Sequence, residues 1–242
     1  MSRSPEAVAT TYEYEFERPL MTVDVVLFAL IADVEGEPAR LHVLLPVRDR
    51  EPYEGVRGLV GTVIHTDDDN DTHAAAKRAM LTKFKMRVSH LEQLAMFSSR
   101  KRDPRGWSAS LAYIAMIKTP DNQADFFPVD NLPQKLAFDH KKIIYYAVKR
   151  IRDKAHYSTL PLFLMPREFA ITSLQKVYES LMGHEVDQAK FRRKMEDLIE
   201  PTGTKTTSTR ASDEEGKLYG GRSAMLWRSK SNKLAFFGEI TQ

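Results

Sequence analysis

The sequence predicts a mixed α/β domain followed by a smaller α+β unit of the helix-turn-helix-plus-wing type. Two observations carry this. The first half holds short apolar runs of strand character, at 23–31, 41–47, 93–97 and 107–117, with one helical stretch between them. The second half changes to helical spacing: one long helix, then two short ones joined by a tight turn, then a hairpin rich in Gly, Thr and Lys.

The elements follow in order. Residues 10–20 alternate aromatic and polar side chains, as an extended arm does. The run 23–31 is β-branched and aliphatic throughout, so it reads as a strand buried on both faces. Glu35-Gly36-Glu37-Pro38 turns the chain into the strand at 41–47. A glycine-bearing loop and a solvated acidic stretch, Asp67-Asp68-Asp69, lead to a helix over 73–86, with Asp71 or Thr72 as its cap. Two strands follow, joined by the basic loop Arg100-Lys101-Arg102-Asp103-Pro104-Arg105-Gly106. Further on, Ile143, Ile144, Ala147, Val148 and Ile151 mark an amphipathic helix over 139–155. A loop punctuated by Pro161 and Pro166 comes next. Thr172-Ser173-Leu174-Gln175 has the form of a capping box, and Gly183 suits a helix end. Asp187 caps a second short helix whose buried face is Phe191, Met195, Leu198 and Ile199, and Pro201-Thr202-Gly203 stops it.

Composition narrows the function classes. The 242 residues are 42% hydrophobic and 29% charged, room for one large domain or two small ones. There is no cysteine, which excludes thiolate catalysis, disulfides and cysteine-bound metal. No P-loop and no nucleophile elbow occurs, and the seven histidines show no ligand spacing. No cofactor and no metal site is expected. The longest apolar stretch, 25–32, falls far short of the roughly 20 residues a membrane span needs. The expectation is a cytoplasmic, nucleoid-associated protein with no membrane contact.

Charge is uneven. Residues 1–138 carry 17 Lys/Arg against 20 Asp/Glu, while residues 139–242 carry 19 against 13. A basic rear half suits a polyanion. The densest cluster is Lys190-Phe191-Arg192-Arg193-Lys194, at the head of the second short helix. That position enters the major groove in helix-turn-helix proteins, where cations meet phosphates and Arg forks read guanine. The expected DNA contacts are therefore Lys190, Arg192, Arg193 and Lys194, together with Thr172 on the first helix and Lys205 and Arg222 in the hairpin.

The stretch from Tyr53 to Val63, followed by the helix from Ala74 to Met86, resembles the Nudix box. The box Pro-Gly-Gly turn is Val60-Gly61-Thr62 here, and Arg78 keeps the box arginine. The three magnesium-binding glutamate positions fall on Ala79, Thr82 and Lys83. Leu91-Glu92-Gln93-Leu94, the loop 102–108, Leu136-Ala137-Phe138-Asp139-His140, Phe191-Arg192-Arg193-Lys194 and the segment 221–227 look like the Nudix-related transcriptional regulators of NAD metabolism. The match spans residues 18–228 in order, with Ser223 where the family usually has Pro.

The resemblance implies a Nudix-like α/β/α sandwich over 1–138 that senses a ligand and is catalytically degenerate. It implies a linker helix and winged helix-turn-helix over 139–242. It further implies a homodimer that represses genes of NAD or sugar metabolism from a palindromic operator, under a small nucleotide effector such as ADP-ribose. Arg48, Arg102 and Arg105 are the candidates for diphosphate oxygens and Asp103 for a ribose hydroxyl. Trp107 or Phe16 would stack on a base, and Lys83 would replace the metal as the phosphate's counter-charge. Two rivals stand beside this reading: a divergent Nudix hydrolase of nucleoside diphosphate derivatives, and a nucleic-acid module with no regulatory ligand.

Overall fold

The front half is organised around one long strand, β1 (Leu20–Ile31). Its side chains alternate between two apolar layers, as a pleated strand requires. Val23, Val25, Leu27, Ala29 and Ile31 enter one buried cluster, and Val26, Phe28 and Leu30 enter the other. A computed structural model describes residues 15–32, 39–118, 120–205, 210–212, 218–220 and 224–237.

The remaining strands are β2 (Arg40–Leu44), β3 (Val60–Val63), β4 (His90–Asp103), β5 (Gly106–Met116) and β6 (Phe126–Pro128). They form a mixed sheet in the order β4-β5-β1-β2-β6. Strand β5 runs parallel to β1 along one edge, while β3 and β2 share the other edge, both antiparallel. The glycine-bearing segment read as loop thus supplies β3. The basic segment read as a loop is mostly strand, since β4 runs on to Asp103 and only Pro104 and Arg105 turn.

Helix α1 (Thr72–Phe84) covers one face through Ala75, Ala76, Ala79 and Met80. Its cap is Asp71, whose carboxylate accepts from the Ala74 amide at 2.7 Å. Helix α2 (His140–Ala155) covers the other face with Ile143, Ile144, Ala147, Val148 and Ile151. The fold is therefore an α/β/α sandwich. Helix α2 touches β1 and β4 on one side and α3 (Ile171–Met182) on the other. Residues of both halves share one buried cluster, from Val26 and Met116 through Ile151 to Leu160, Tyr178 and Phe191.

The segment read as a proline-punctuated loop is a buried 3-10 helix at Leu160–Leu164. Two short helices follow, α3 and then α4 (Gln188–Met195). The capping box does not form. The α3 cap is Ala170 with no side-chain bond, and Gln175 instead donates to Glu179 Oε1 (2.9 Å) and to the Val186 carbonyl (3.0 Å). Gln175 is spent on fixing the turn between the helices. Gly183 ends α3 at φ 80°, a left-handed conformation that a side chain would strain. Strands β7 (Phe169–Ala170), β8 (Ile199–Lys205) and β11 (Met225–Ser229) form an antiparallel sheet beside the pair, in the order β7-β11-β8. A small hairpin, β9 (Arg210–Ser212) with β10 (Leu218–Gly220), lies between. Pro201, Thr202 and Gly203, read as a helix stop, lie within β8.

Candidate ligand cleft and nucleic-acid interface

Asp24 is the one charged residue of β1, and it faces the α2 side of the sheet. A carboxylate buried there requires partners. It accepts from the Ser110 hydroxyl at 2.6 Å and from Arg102 Nη2 at 3.2 Å. Arg102 also binds Asp139, through Nη2 at 3.0 Å and Nε at 3.3 Å. His140, the first residue of α2, accepts from the Leu59 amide at Nδ1 (2.8 Å), so its ring proton belongs on Nε2, 3.5 Å from Asp24 Oδ1. Burial would raise the Asp24 pKa, but His140, Ser110 and Arg102 outweigh it and hold the carboxyl at about 2. Two glycines permit this packing. A Cβ on Gly61 would fall 2.6 Å from Asp24 Oδ1, and one on Gly58 would fall 2.8 Å from His140 Nδ1.

Above this network opens a cleft of about 320 Å³. Arg48, Lys83, Arg102, Asp103 and Arg105 all line it, so five of the seven expected ligand residues come together from three separate segments. The other two do not join them. Trp107 is 47% exposed and Phe16 82% exposed, and neither lines the cleft. The aromatic ring in the wall is Phe138, with Tyr53 edge-on to it at 4.8 Å and the Arg48 guanidinium 4.8 Å from its centroid. Phe138 and Tyr53 both have positive φ, 50° and 68°, an uncommon state for aromatic residues.

The cleft residues differ in how free they are. The Arg102 guanidinium is committed to Asp24 and Asp139. Asp103 is buried and takes three hydrogen bonds from Arg105, at 3.0, 3.0 and 2.7 Å. Lys83 Nζ donates to the Gly61 carbonyl at 2.6 Å and faces into a crowd of cations. Burial lowers its pKa and Arg50, Arg48 and Arg78 lower it further, against the opposing pull of Asp49. Arg48 is lowered likewise, by burial first and then by Arg105. An excess of positive charge held in part away from water is a seat for an anion.

Sequence reasoning missed Asp24, Asp139, His140, Arg50 and Phe138 as parts of the site. The signal for Asp24 was a lone carboxylate inside an apolar run. The acidic stretch is also corrected in part: Asp69 is buried rather than solvated. It takes a two-point bond from Arg78, at 2.8 and 2.6 Å, and accepts from the His65 amide. The Arg78 bond, with His65, holds its carboxyl at about 2. No group of three or more metal-ligating side chains occurs among the described residues.

The second candidate surface is α4. Asp187 caps it by accepting from the Lys190 amide at 2.7 Å. Phe191 and Met195 anchor its inner face, with the Tyr178 ring 5.3 Å from Phe191. Burial pushes the Tyr178 hydroxyl pKa up, and that hydroxyl donates to the Ser158 carbonyl at 3.0 Å. Lys190, Arg192 and Arg193 are exposed and Lys194 is half-buried. Arg192 leans over Trp227 of β11 at 5.9 Å, and Lys194 over Phe237 at 5.5 Å. Thr172 is exposed on the first turn of α3, and Lys205 is exposed at the end of β8. Arg222 lies outside the described residues. No helix among the described residues is long and apolar enough to cross a membrane.

A model of the NrtR DNA-binding winged helix domain matches residues 161–228. Over 235 residues, 93% of this chain and 88% of the relative, the sequence is 32% identical to the ADPR responsive transcriptional repressor NtrR of Acinetobacter baylyi. Shewanella oneidensis NrtR, crystallised with a 27mer DNA, is similar over 87% of this chain and 93% of that one, with 32% identity and a TM-score of 0.74. The NUDIX domain of the same Shewanella protein, cocrystallised with ADP ribose, is similar over 57% of this chain and 93% of that one, with 30% identity and a TM-score of 0.50. With 32% identity to a relative across 93% of its length, the chain belongs to the NrtR family of Nudix-related, DNA-binding transcriptional regulators.

Proposed function

We propose that this regulator binds ADP-ribose, or a nucleoside diphosphate of the same chemistry, in the front cleft without cleaving it. Occupancy then passes through α2 to the winged helix. The observation that carries this reading is the charge of the cleft. Arg48, Arg50 and Lys83 converge, beside the ion-paired Arg78 and Arg105, on a cavity with few free carboxylates, and by the resemblance to the Nudix box Lys83 falls at a metal-binding glutamate position. A diphosphate would relieve that crowding through charge-assisted hydrogen bonds. The relatives support the choice of anion, since one is an ADPR responsive repressor and another was crystallised with ADP ribose.

Magnesium does not fit the residues present. Ala79 is buried and offers no donor, the Thr82 hydroxyl donates to the Arg78 carbonyl at 2.8 Å, and Lys83 brings a positive charge. A hard dication needs oxygen ligands, preferably anionic.

On the DNA side, Arg193 and Lys190 are proposed to meet bases and phosphates in the major groove, with Thr172 and Lys205 on the backbone. The protein would act as a homodimeric repressor on a palindromic operator, in the cytoplasm where the chromosome lies.

The test is Lys83→Glu. By replacing the phosphate's counter-charge with a like charge it should weaken ADP-ribose binding at least about tenfold, measured by calorimetry. Unchanged affinity overturns the cleft assignment. Incubation of the wild-type protein with magnesium should return the ADP-ribose intact, and turnover would favour the hydrolase.

A further inference from the structure

A second cavity, of about 410 Å³, opens at the seam between the two halves. Its walls come from both. Ser89 and Lys118 flank the strands of the sandwich, Phe163 belongs to the 3-10 helix, and Arg167, Phe169 and Lys233 belong to the DNA-binding half. The seam is fastened here by Ser89, whose hydroxyl lies 2.7 Å from the Met116 carbonyl and 2.8 Å from the Phe163 carbonyl.

The charge of this cavity is one-sided. Four cations line it (Lys118, Arg167, Arg228 and Lys233) and no carboxylate does. Arg228 is neutralised from outside by Glu200 at 2.8 Å. The other three have no ion-pair partner among the described residues. Lys118 reaches the cavity from the sandwich, and Arg167 and Lys233 from the winged-helix side, so like charges meet across a joint. Between them lie the apolar surfaces of Leu162, Phe163 and Phe169 and the hydroxyls of neighbouring serines. A small ligand with a flat body and a phosphate matches this combination: the body covers apolar surface, and the phosphate takes the converging cations.

We propose that the seam cavity is a second binding site, for a phosphorylated metabolite of mononucleotide size, separate from the front cleft. Bound there, the anion bridges Lys118 to Arg167 and Lys233 and cancels their repulsion. It thereby fixes the winged helix against the sandwich. The site couples to DNA binding only so far as the ligand prefers one arrangement of the halves.

AMP is the probe, and Lys83→Glu protein is the host, because that substitution disables the front cleft alone. Equilibrium dialysis at low ionic strength should show saturable AMP binding to this host. Replacing Lys118, Arg167 and Lys233 by Ala in the same host should weaken it at least about tenfold, as expected when charge-assisted contacts to phosphate are removed. All three side chains are exposed, so the melting temperature should not move. The triple substitution in otherwise wild-type protein should leave ADP-ribose binding in the front cleft unchanged, so the two sites fail independently. Absence of AMP binding to the Lys83→Glu host overturns the proposal, as does AMP binding that survives the triple substitution. If the triple substitution weakens operator binding with no nucleotide present, the cations belong to the DNA footprint and the proposal is also overturned.

Discussion

At the scale of single residues, the decisive feature is the buried network of Asp24, Arg102, Asp139 and His140. It joins the middle of β1 to the first turn of α2 beneath the cleft floor. Arg102 lay in a basic run and read as a free ligand contact, whereas its partners are 78 and 37 residues away and no local pattern announces them. Asp103 and Arg105, two residues apart in the chain, read as separate ligand contacts, and they pair with each other. The network has a pH signature. Asp24 titrates at about 2 in the fold against an ordinary 3.8, so it stabilises fully above that ordinary value and loses its contribution as the pH falls toward 2. The contribution at neutral pH is about 2 kcal/mol. Asp24→Asn should therefore be less stable than wild type by about that amount at neutral pH, and the gap should shrink by about half near pH 3. Urea denaturation at the two pH values measures this, and a gap of equal size at both would show that the carboxylate is not coupled to its neighbours.

At the scale of elements, what the sequence revealed depended on how local the cause was. Helix α1 was legible because Asp71 caps it and its alanines recur at helical spacing. Helix α4 was legible for the same reason, through Asp187 and the pair Phe191 and Met195. The start of α3 was misread because Thr172 to Gln175 has the form of a capping box while the turn after the helix claims Gln175. Strand β3 was hidden because Val60-Gly61-Thr62-Val63 is a strand only by virtue of the β1 edge beside it and the Asp24 side chain that Gly61 admits. Arg193→Ala tests α4. Its side chain is exposed, so the melting temperature should hold, while operator affinity falls about tenfold or more in a gel shift. Unchanged shifts would move the recognition surface elsewhere. Asp187→Ala acts through the cap and should cost about 1 kcal/mol of stability, read from the same melting curves.

At the scale of the molecule, the two halves are not independent. Helix α2 closes the sandwich with one face and supports α3 with another, within one buried cluster. Its first turn holds Asp139 and His140 under the cleft, and near its last turn Lys154 binds Glu92 of β4 at 2.7 Å. An anion arriving beside Arg48 and Phe138 thus acts two residues before the start of a helix that packs at its other side against the DNA-binding unit. The sequence showed α2 as an amphipathic helix after residue 138; that it serves both halves depends on long-range packing that spacing does not encode. Coupling of this kind is reciprocal: if ADP-ribose changes operator affinity, operator DNA changes ADP-ribose affinity by the same factor. The most direct measurement is the anisotropy of a labelled operator duplex bound to the full-length protein as ADP-ribose is titrated with magnesium present, the nucleotide being recovered afterwards. Operator affinity should change about fivefold or more, with the ADP-ribose returned whole. An operator affinity indifferent to the nucleotide, or a nucleotide recovered as fragments, would contradict the account.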